Sequence, residues 1–195
     1  MNSPSTTAAR PFIVGIGGTT KAGSSTEKAL AIALEEAEKA GASTMLLAGP
    51  MLAGLPLYAP EESARSELQK QFVDTVRRAD GLILATPAYH GGISGLLKNA
   101  IDLLEDLRDD DRPYFHDRAV GVIVTAFGWQ GAGTTLTSVR TIVHALRGWP
   151  TPLGMTMNTA EPIFDTSGHC VDGKLQAQFA LLARQVVEFA VRRRG

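Results

Sequence analysis

The chain has 195 residues, 44% hydrophobic and 20% charged, and its 19 basic and 20 acidic residues leave a formal net charge of -1. This length predicts one domain, over residues 11–195, and the balanced charge excludes a general attraction to nucleic acid or to an anionic membrane. The single cysteine, Cys170, cannot form an internal disulfide, no apolar run is long enough to span a bilayer, and residues 1–10 lack the apolar core of a signal peptide; we therefore expect a frayed N-terminal tail and a cytoplasmic protein.

Short apolar runs alternate with longer helical patterns along the chain, which is typical of a parallel sheet covered by helices on both faces. The sequence predicts five strands, at Pro11–Ile16, Ser43–Ala48, Gly81–Thr86, Ala119–Ala126 and Thr151–Thr156. It predicts helices over residues 25–41, Glu61–Ala79, Ser94–Leu107, Thr134–Arg147 and Lys174–Arg193. Ligands of open parallel sheets bind beyond the carboxyl ends of the strands. Function is therefore expected in the loops that follow Ile16, Thr86 and Ala126.

The first of these loops, Gly17–Thr26, is rich in glycine and hydroxyl side chains and leads directly into a helix. Unpaired N–H groups, a positive dipole end and hydroxyl donors together suit a phosphate. A Walker loop is excluded because Gly23 is followed by Ser24 and not by lysine, and the dinucleotide fingerprint fails because Thr20 stands where glycine or alanine is needed. A terminal monophosphate, such as that of FMN, remains. The alternative is a turn that only caps the helix.

The second loop, Pro87–Gly95, precedes a helical segment that contains Lys98 and Asp102. Pro87 fixes the turn, and consecutive glycines leave backbone N–H groups free to face a flat heteroaromatic ring. Tyr89 is placed to line that ring. Lys98 and Asp102 are four residues apart on one helical face, so we expect a structural ion pair.

The third loop, Phe127–Gly133, contains Trp129, which would shield a ligand, anchor an interface or simply pack in the loop. The four histidines have no metal-ligand spacing and there is no second cysteine, so no metal site is expected. His90 lies in the second loop, where we expect a positional role and not acid-base chemistry. No G-x-S-x-G elbow is present, which counts against a serine hydrolase.

Two motifs give the chain a specific resemblance. Residues Gly18–Thr26 match the spacing of G-S-x-R-x-x-S-x-[NT], with Thr19 in place of serine and Lys21 in place of arginine. Residues Pro87–Gly95 match P-x-Y-x-G-x-x-x-G, and residues 97–102 match L-K-N-A-x-D. With these motifs the sequence resembles the NADPH-dependent FMN reductase family over about residues 12–187. Lysine lacks the two-point grip of arginine, so phosphate affinity is expected to differ from that of the family.

The resemblance implies an α/β, flavodoxin-like three-layer sandwich with a five-stranded parallel sheet of order 2-1-3-4-5. It also implies FMN as cofactor, NADPH or NADH as reductant, and no catalytic side chain, because the hydride passes between cofactors. The predicted cofactor-binding residues are Gly18, Thr19, Lys21, Ser24, Ser25 and Thr26 at the phosphate; Pro87, Ala88, Tyr89, His90 and Gly91 at the ring; and Gly128, Trp129 and Gly131 in the third loop.

The expected activity is therefore reduction of FMN by NAD(P)H, with a flavin-dependent monooxygenase as the candidate recipient of reduced flavin. The alternatives are a reductase of quinones, azo dyes or metal oxyanions with firmly bound FMN, and a flavodoxin-like electron carrier without turnover of its own. We also expect a homodimer or homotetramer, with the apolar stretch Leu52–Tyr58 buried at the subunit boundary.

Overall fold

A computed structural model of the protein describes residues 9–194, in which five parallel strands form one sheet of order β2-β1-β3-β4-β5. This is the predicted order, and every predicted strand is present. The strands are β1 (Phe12–Gly17), β2 (Ser43–Leu47), β3 (Gly81–Pro87), β4 (Ala119–Ala126) and β5 (Trp149–Asn158). The expected frayed tail, residues 1–10, lies outside the described residues except for Ala9 and Arg10, whose carbonyls accept hydrogen bonds from Arg194.

Helices cover both faces of the sheet, which confirms the predicted three layers. They are α1 (Ser25–Lys39), α2 (Gly49–Ala53), α3 (Glu67–Arg78), α4 (Gly95–Asp102), α5 (Trp129–Ala145) and α6 (Gly173–Arg194). Helices α1 and α6 pack on one face, and α2 to α5 pack on the other. Alternate residues of each strand supply the two cores, so Val14 faces α2 to α5 whereas Ile13 faces α1 and α6. Within residues 9–194, no helix is long and apolar enough to cross a bilayer.

The predicted helices that correspond to α3 and α4 differ from the observed ones at their ends. The helix predicted over Glu61–Ala79 begins only at Glu67, because Ser66 and Gln69 form a reciprocal capping box that starts it there. The helix predicted over Ser94–Leu107 is α-helical to Asp102 and continues as a 3₁₀ helix over Leu103–Leu107. The short helix α2 was not predicted, since its five residues are too few to show a helical period.

The predicted start of α5 at Thr134 is wrong, because the helix begins at Trp129. Gly131 and Gly133 lower the helix propensity of this segment, but packing of Ala132 in the core overrides it. Trp129 and Gly131 therefore belong to the first turn of a helix, and the third loop is shorter than expected.

The stretch Leu52–Tyr58, which was predicted to lie at a subunit boundary, contains both buried and exposed residues. Leu52 and Leu55 are buried in this chain's own core, where α2 turns back onto the sheet. Ala53, Gly54, Pro56 and Leu57 are exposed, and 81% of Leu57 is accessible to solvent. The two buried leucines thus serve the fold of this chain, and the subunit boundary stays a prediction.

Candidate cofactor site

The three predicted loops meet at the carboxyl edge of the sheet and enclose a pocket of about 400 Å³. The pocket lies where the chain order reverses, since β2 and β3 lie on opposite sides of β1. Its lining residues are Thr19, Thr20, Lys21, Ser24, Ser25, Thr26, Pro87, Ala88, Tyr89, Thr125, Ala126, Phe127 and Thr159.

The first loop leaves β1 through a glycine that no other residue can replace. Gly17 has a φ of +153°, and a Cβ at this position would lie 2.0 Å from the carbonyl oxygen of Ala85 in β3. The next residue, Gly18, donates its N–H to that same carbonyl at 3.2 Å. The loop is therefore fixed to the neighbouring strand before it turns toward α1.

Hydroxyl groups shape the rest of the first loop. The Ser24 hydroxyl caps α1 by accepting the N–H of Glu27 at 3.3 Å, and the Thr19 hydroxyl accepts the N–H of Lys21 at 3.1 Å. Lys21 itself is exposed at the mouth of the pocket. This arrangement presents the N-terminus of a 15-residue helix, several hydroxyls and one ammonium group to the same space.

A buried hydrogen bond joins the first loop to the end of β4. The hydroxyls of Thr26 and Thr125 lie 2.6 Å apart, and the two residues are only 2% and 4% exposed. The motif identified Thr26 but not Thr125, which sits at the end of an apolar strand 99 residues away. A threonine near the carboxyl end of a buried strand is the sequence signal that would have identified Thr125.

The second loop is a tight hairpin turn. Tyr89 and Gly92 exchange backbone hydrogen bonds of 3.0 Å, while His90 and Gly91 between them have φ values of +53° and +79°. The Ala88 N–H donates to the Thr125 carbonyl at 2.8 Å, which places Ala88 against the end of β4. Tyr89 lines the pocket, whereas the turn residues His90 and Gly91 are not among its lining residues.

The helix that follows the second loop uses its motif residues structurally. Lys98 Nζ lies 2.7 Å from Asp102 Oδ1, which confirms the predicted ion pair. Asn99 accepts the N–H of Tyr58 at 2.8 Å and donates to the carbonyl of Pro56 at 3.2 Å. The L-K-N-A-x-D motif thus attaches α4 to the segment after α2.

In the third loop only Phe127 reaches the pocket, and 86% of it is exposed. The neighbouring Ala126 carbonyl accepts the N–H of Thr159 at 2.8 Å and its hydroxyl at 3.2 Å, so the end of β5 closes this side.

Of the predicted site residues, those that adjoin the pocket without lining it are Gly18, His90, Gly91, Gly128, Trp129 and Gly131. The lining residues absent from the prediction are Thr20, Thr125, Ala126, Phe127 and Thr159.

The family described as NADPH-dependent FMN reductase matches residues 11–161, well over half of the chain. The chain belongs to the NADPH-dependent FMN reductase family. This is the family that the two motifs predicted, and its description names the two cofactors expected from the sequence.

Relatives of this NADPH-dependent FMN reductase family member agree with that assignment. The chain is 38% identical over 86 residues to an NADPH azoreductase of Bacillus sp. (strain OY1-2), covering 44% of this chain and 45% of the relative. It is 32% identical over 122 residues to an FMN-dependent NADPH-azoreductase of Staphylococcus aureus (strain USA300), covering 62% of this chain and 61% of the relative. The chain thus spans about half to three fifths of these relatives.

A solved structure shows the same flavodoxin-like fold. FerB, a flavoenzyme NAD(P)H:(acceptor) oxidoreductase from Paracoccus denitrificans, superposes with a TM-score of 0.69 at 19% identity. The superposition covers 93% of this chain and 98% of that chain.

The residues of the pocket fit the cofactor that the family name implies. Eight of the lining side chains carry a hydroxyl, Lys21 is the one formally charged side chain among them, and none is a carboxylate. That donor set suits a phosphate monoester. At the other end, Pro87, Ala88 and Phe127 offer apolar surface to a flat ring, and about 400 Å³ falls within the roughly 300–1,000 Å³ common for ligand pockets.

Proposed function

We propose that this protein is an NAD(P)H-dependent FMN reductase that binds FMN in the loop pocket and takes its electrons from NADPH or NADH. The observation that carries the proposal is the pocket itself, in which a helix N-terminus, a cation and hydroxyls lie at one end and apolar surface at the other. In a chain of this family, such a pocket matches the two chemically distinct ends of FMN.

The first loop would hold the phosphate. Lys21 supplies charge, Ser24 and Ser25 supply hydroxyls, and the N-terminus of α1 supplies unpaired N–H groups. Thr26 is turned toward Thr125 and so acts from behind the loop. Gly18, next to Ala85, keeps the backbone close to the sheet.

The second and third loops would hold the ring. Pro87 and Ala88 form the wall beside β4, while Tyr89 and Phe127 stand at the rim with 54% and 86% of their surfaces exposed. When bound, FMN supplies the redox chemistry by accepting the hydride that nicotinamide donates. The hydroxyls and apolar surface of the pocket lining suit a protein whose work is to bind and orient the cofactor.

Two measurements test the proposal. Titration by flavin fluorescence is expected to show FMN binding, and mixing with NADPH in a stopped-flow instrument is expected to bleach flavin absorbance faster than in free solution. Lys21→Gln should lower the affinity for FMN by about tenfold, because it removes a charge-assisted hydrogen bond to the phosphate. It should leave the affinity for riboflavin unchanged. Lys70→Gln, on the exposed surface of α3, is the matched control. Bleaching no faster than in free solution would contradict the assignment.

A second candidate is a reductase of azo dyes, quinones or metal oxyanions with firmly bound FMN. The exposed rings of Phe127 and Tyr89 favour it, since they could receive a planar acceptor, and both relatives are named azoreductases. Firmly bound FMN predicts yellow protein and ping-pong kinetics, whereas delivery of reduced flavin to a monooxygenase predicts that FMN is released. An electron carrier would bind FMN but oxidise NAD(P)H negligibly.

We further propose a cytoplasmic homodimer or homotetramer. The exposed Leu57 beside the half-buried Tyr58 is apolar surface that a second copy would cover. The molar mass in solution, measured by light scattering, tests the assembly.

A further inference from the structure

The two outer strands of the sheet, β2 and β5, differ in how their open edges are protected. β5 contains two prolines, and the Arg140 side chain donates to its Thr151 carbonyl at 2.7 Å. The Gln185 side chain accepts the Leu153 N–H of the same strand at 3.1 Å. β2, with the sequence STMLL, contains no proline and no charged residue. A strand edge without such protection pairs readily with another strand.

The backbone of β2 offers free donors and acceptors along this edge. Ser43 donates its N–H to the Pro11 carbonyl beside β1 at 2.9 Å. Because alternate residues of a parallel pair direct their backbone groups to the neighbouring strand, Thr44 and Leu46 direct theirs outward. No hydrogen bond from elsewhere in residues 9–194 reaches the N–H or C=O of these two residues.

Apolar side chains are exposed on both faces of the same edge. Met45 is 41% exposed on the face of α3, and Leu46 is 40% exposed on the opposite face. Met45 also lines a groove of about 590 Å³, which lies between β2 and α3 and is bordered by charged residues of α3 such as Asp74 and Arg78. The edge thus combines unpaired backbone groups with apolar surface.

We propose that two copies of this chain pair along β2, antiparallel about a twofold axis at Met45, so that their five-stranded sheets join into one. Thr44 of each copy then lies opposite Leu46 of the other, and residues opposed in this way exchange both backbone hydrogen bonds. All of the outward-facing groups of Thr44 and Leu46 are paired as a result. The joined sheet has only the protected β5 strands at its two ends, so the assembly is closed.

Side chains and charges on the face of α3 favour a second copy as the partner. Met45 meets Met45 of the other copy where the strands come closest, at about 4.5 Å between Cα atoms, and flexible methionine side chains can fill the adjoining grooves. The twofold axis sets α3 of one copy antiparallel to α3 of the other. Glu67 lies in the first turn of α3, and Arg77 and Arg78 lie in the last, so the acidic end of each helix is turned toward the basic end of the other.

Light scattering of the full chain tests the pairing. Met45→Lys is expected to halve the molar mass, because two ammonium groups would meet at the axis. Met45→Glu should halve it in the same way. An equal mixture of the two variants should recover the full mass, since lysine then faces glutamate. Leu181→Lys is the matched control, because Leu181 is 40% exposed on α6, and it should keep the full mass.

A disulfide gives a second measurement that does not depend on losing the assembly. Cα atoms about 4.5 Å apart can be bridged, so Met45→Cys in a chain with Cys170→Ser should form covalently linked dimers on oxidation. Leu181→Cys in the same background should stay unlinked. Circular dichroism of each variant separates a loss of pairing from a loss of fold.

Three results would overturn the pairing. They are an unaltered protein with the molar mass of one chain, an unchanged mass in Met45→Lys, and a mixture of the lysine and glutamate variants that stays at the reduced mass. If Leu57→Lys halves the mass and Met45→Lys does not, the copies associate through the surface around Leu57 alone. FMN titration of the same variants judges the proposed flavin chemistry separately, because Met45 lies outside the loop pocket.

Discussion

At the scale of single residues, the Thr26–Thr125 hydrogen bond joins the first loop to the end of β4. Its two hydroxyls lie 2.6 Å apart in a buried position, where each would otherwise lack a partner. A buried polar group that loses its partner costs about 1–3 kcal/mol, whereas replacing both partners by apolar groups of similar shape is nearly neutral. The pair therefore makes a sharp test of coupling between the loop and the sheet.

We predict that Thr125→Val lowers the free energy of unfolding by about 1–3 kcal/mol and weakens FMN binding, because the Thr26 hydroxyl is left unpaired. The double variant with Thr26→Val should recover part of that stability. Urea unfolding of the unaltered protein, the two single variants Thr125→Val and Thr26→Val, and the double variant gives the coupling energy between the two hydroxyls, expected at about 0.5–3 kcal/mol. Strictly additive effects would mean that the two hydroxyls do not act together.

The residues of the candidate site differ in how far the sequence could reveal them. Thr19, Lys21 and Ser24 belong to one local motif, so their spacing was readable without a fold. Thr125 and Thr159 become neighbours of that motif only through strand order, and Thr159 lies beyond the predicted end of β5. His90 is the converse case, since its place in a motif did not show that it adopts a positive φ in a turn beside the residues that line the pocket.

At the scale of the secondary-structure elements, the end of α3 depends on a buried arginine. Arg118 is fully buried at the start of β4 and donates to the carbonyls of Arg77 at 2.8 Å and Ala79 at 2.9 Å, and also to that of Tyr114. Burial, and next the nearby Arg112 guanidinium, lower the pKa of Arg118 to about 9, so it is still charged at neutral pH. One side chain thus satisfies carbonyls that the helix end leaves unpaired.

Removing Arg118 should therefore destabilise the protein without affecting the pocket. We predict that Arg118→Met lowers the free energy of unfolding by about 3 kcal/mol, since the Arg77 and Tyr114 carbonyls lose this donor, and that Arg118→Lys loses less. Arg78→Met, on the exposed side of the same helix, should stay within about 0.5 kcal/mol. FMN affinity should be unchanged in all three, because Arg118 lies at the amino edge of the sheet. Equal losses from Arg118→Met and Arg78→Met would refute this role.

Elements were predicted as well as their local signals allowed. β3 and β4 are buried along their whole length, so their continuous apolar runs identified them directly. β5 is longer than predicted, because Pro150 and Pro152 are disfavoured within strands but are tolerated at the edge of a sheet. The start of α5 was missed for a related reason, since glycines hid a turn that packing stabilises.

At the scale of the whole molecule, the two edges of the sheet are chemically different. The amino edge carries ion pairs such as Asp80 with Arg194 and Asp117 with Arg193, which join α6 to the strand ends. The carboxyl edge carries hydroxyls, glycines and the lone cation Lys21 around the pocket. The strand order could be predicted from the family resemblance and from the alternation of strands and helices. The chemical difference between the two edges could not, because it depends on which strand ends lie side by side in the folded sheet.

This division predicts that cofactor binding stabilises the molecule through the carboxyl edge alone. Free FMN at 100 times its Kd should add about 2.7 kcal/mol, and at roughly 2–4 °C per kcal/mol for a chain of this size the Tm should rise by about 5–11 °C. Riboflavin at the same concentration should raise it much less, because the first loop meets no phosphate. Arg118→Lys should lower the starting Tm yet keep the FMN shift, whereas Lys21→Gln should keep the starting Tm and reduce the shift. Scanning fluorimetry measures the Tm of each protein with and without each flavin. An equal shift with riboflavin and FMN would show that the first loop does not bind the phosphate.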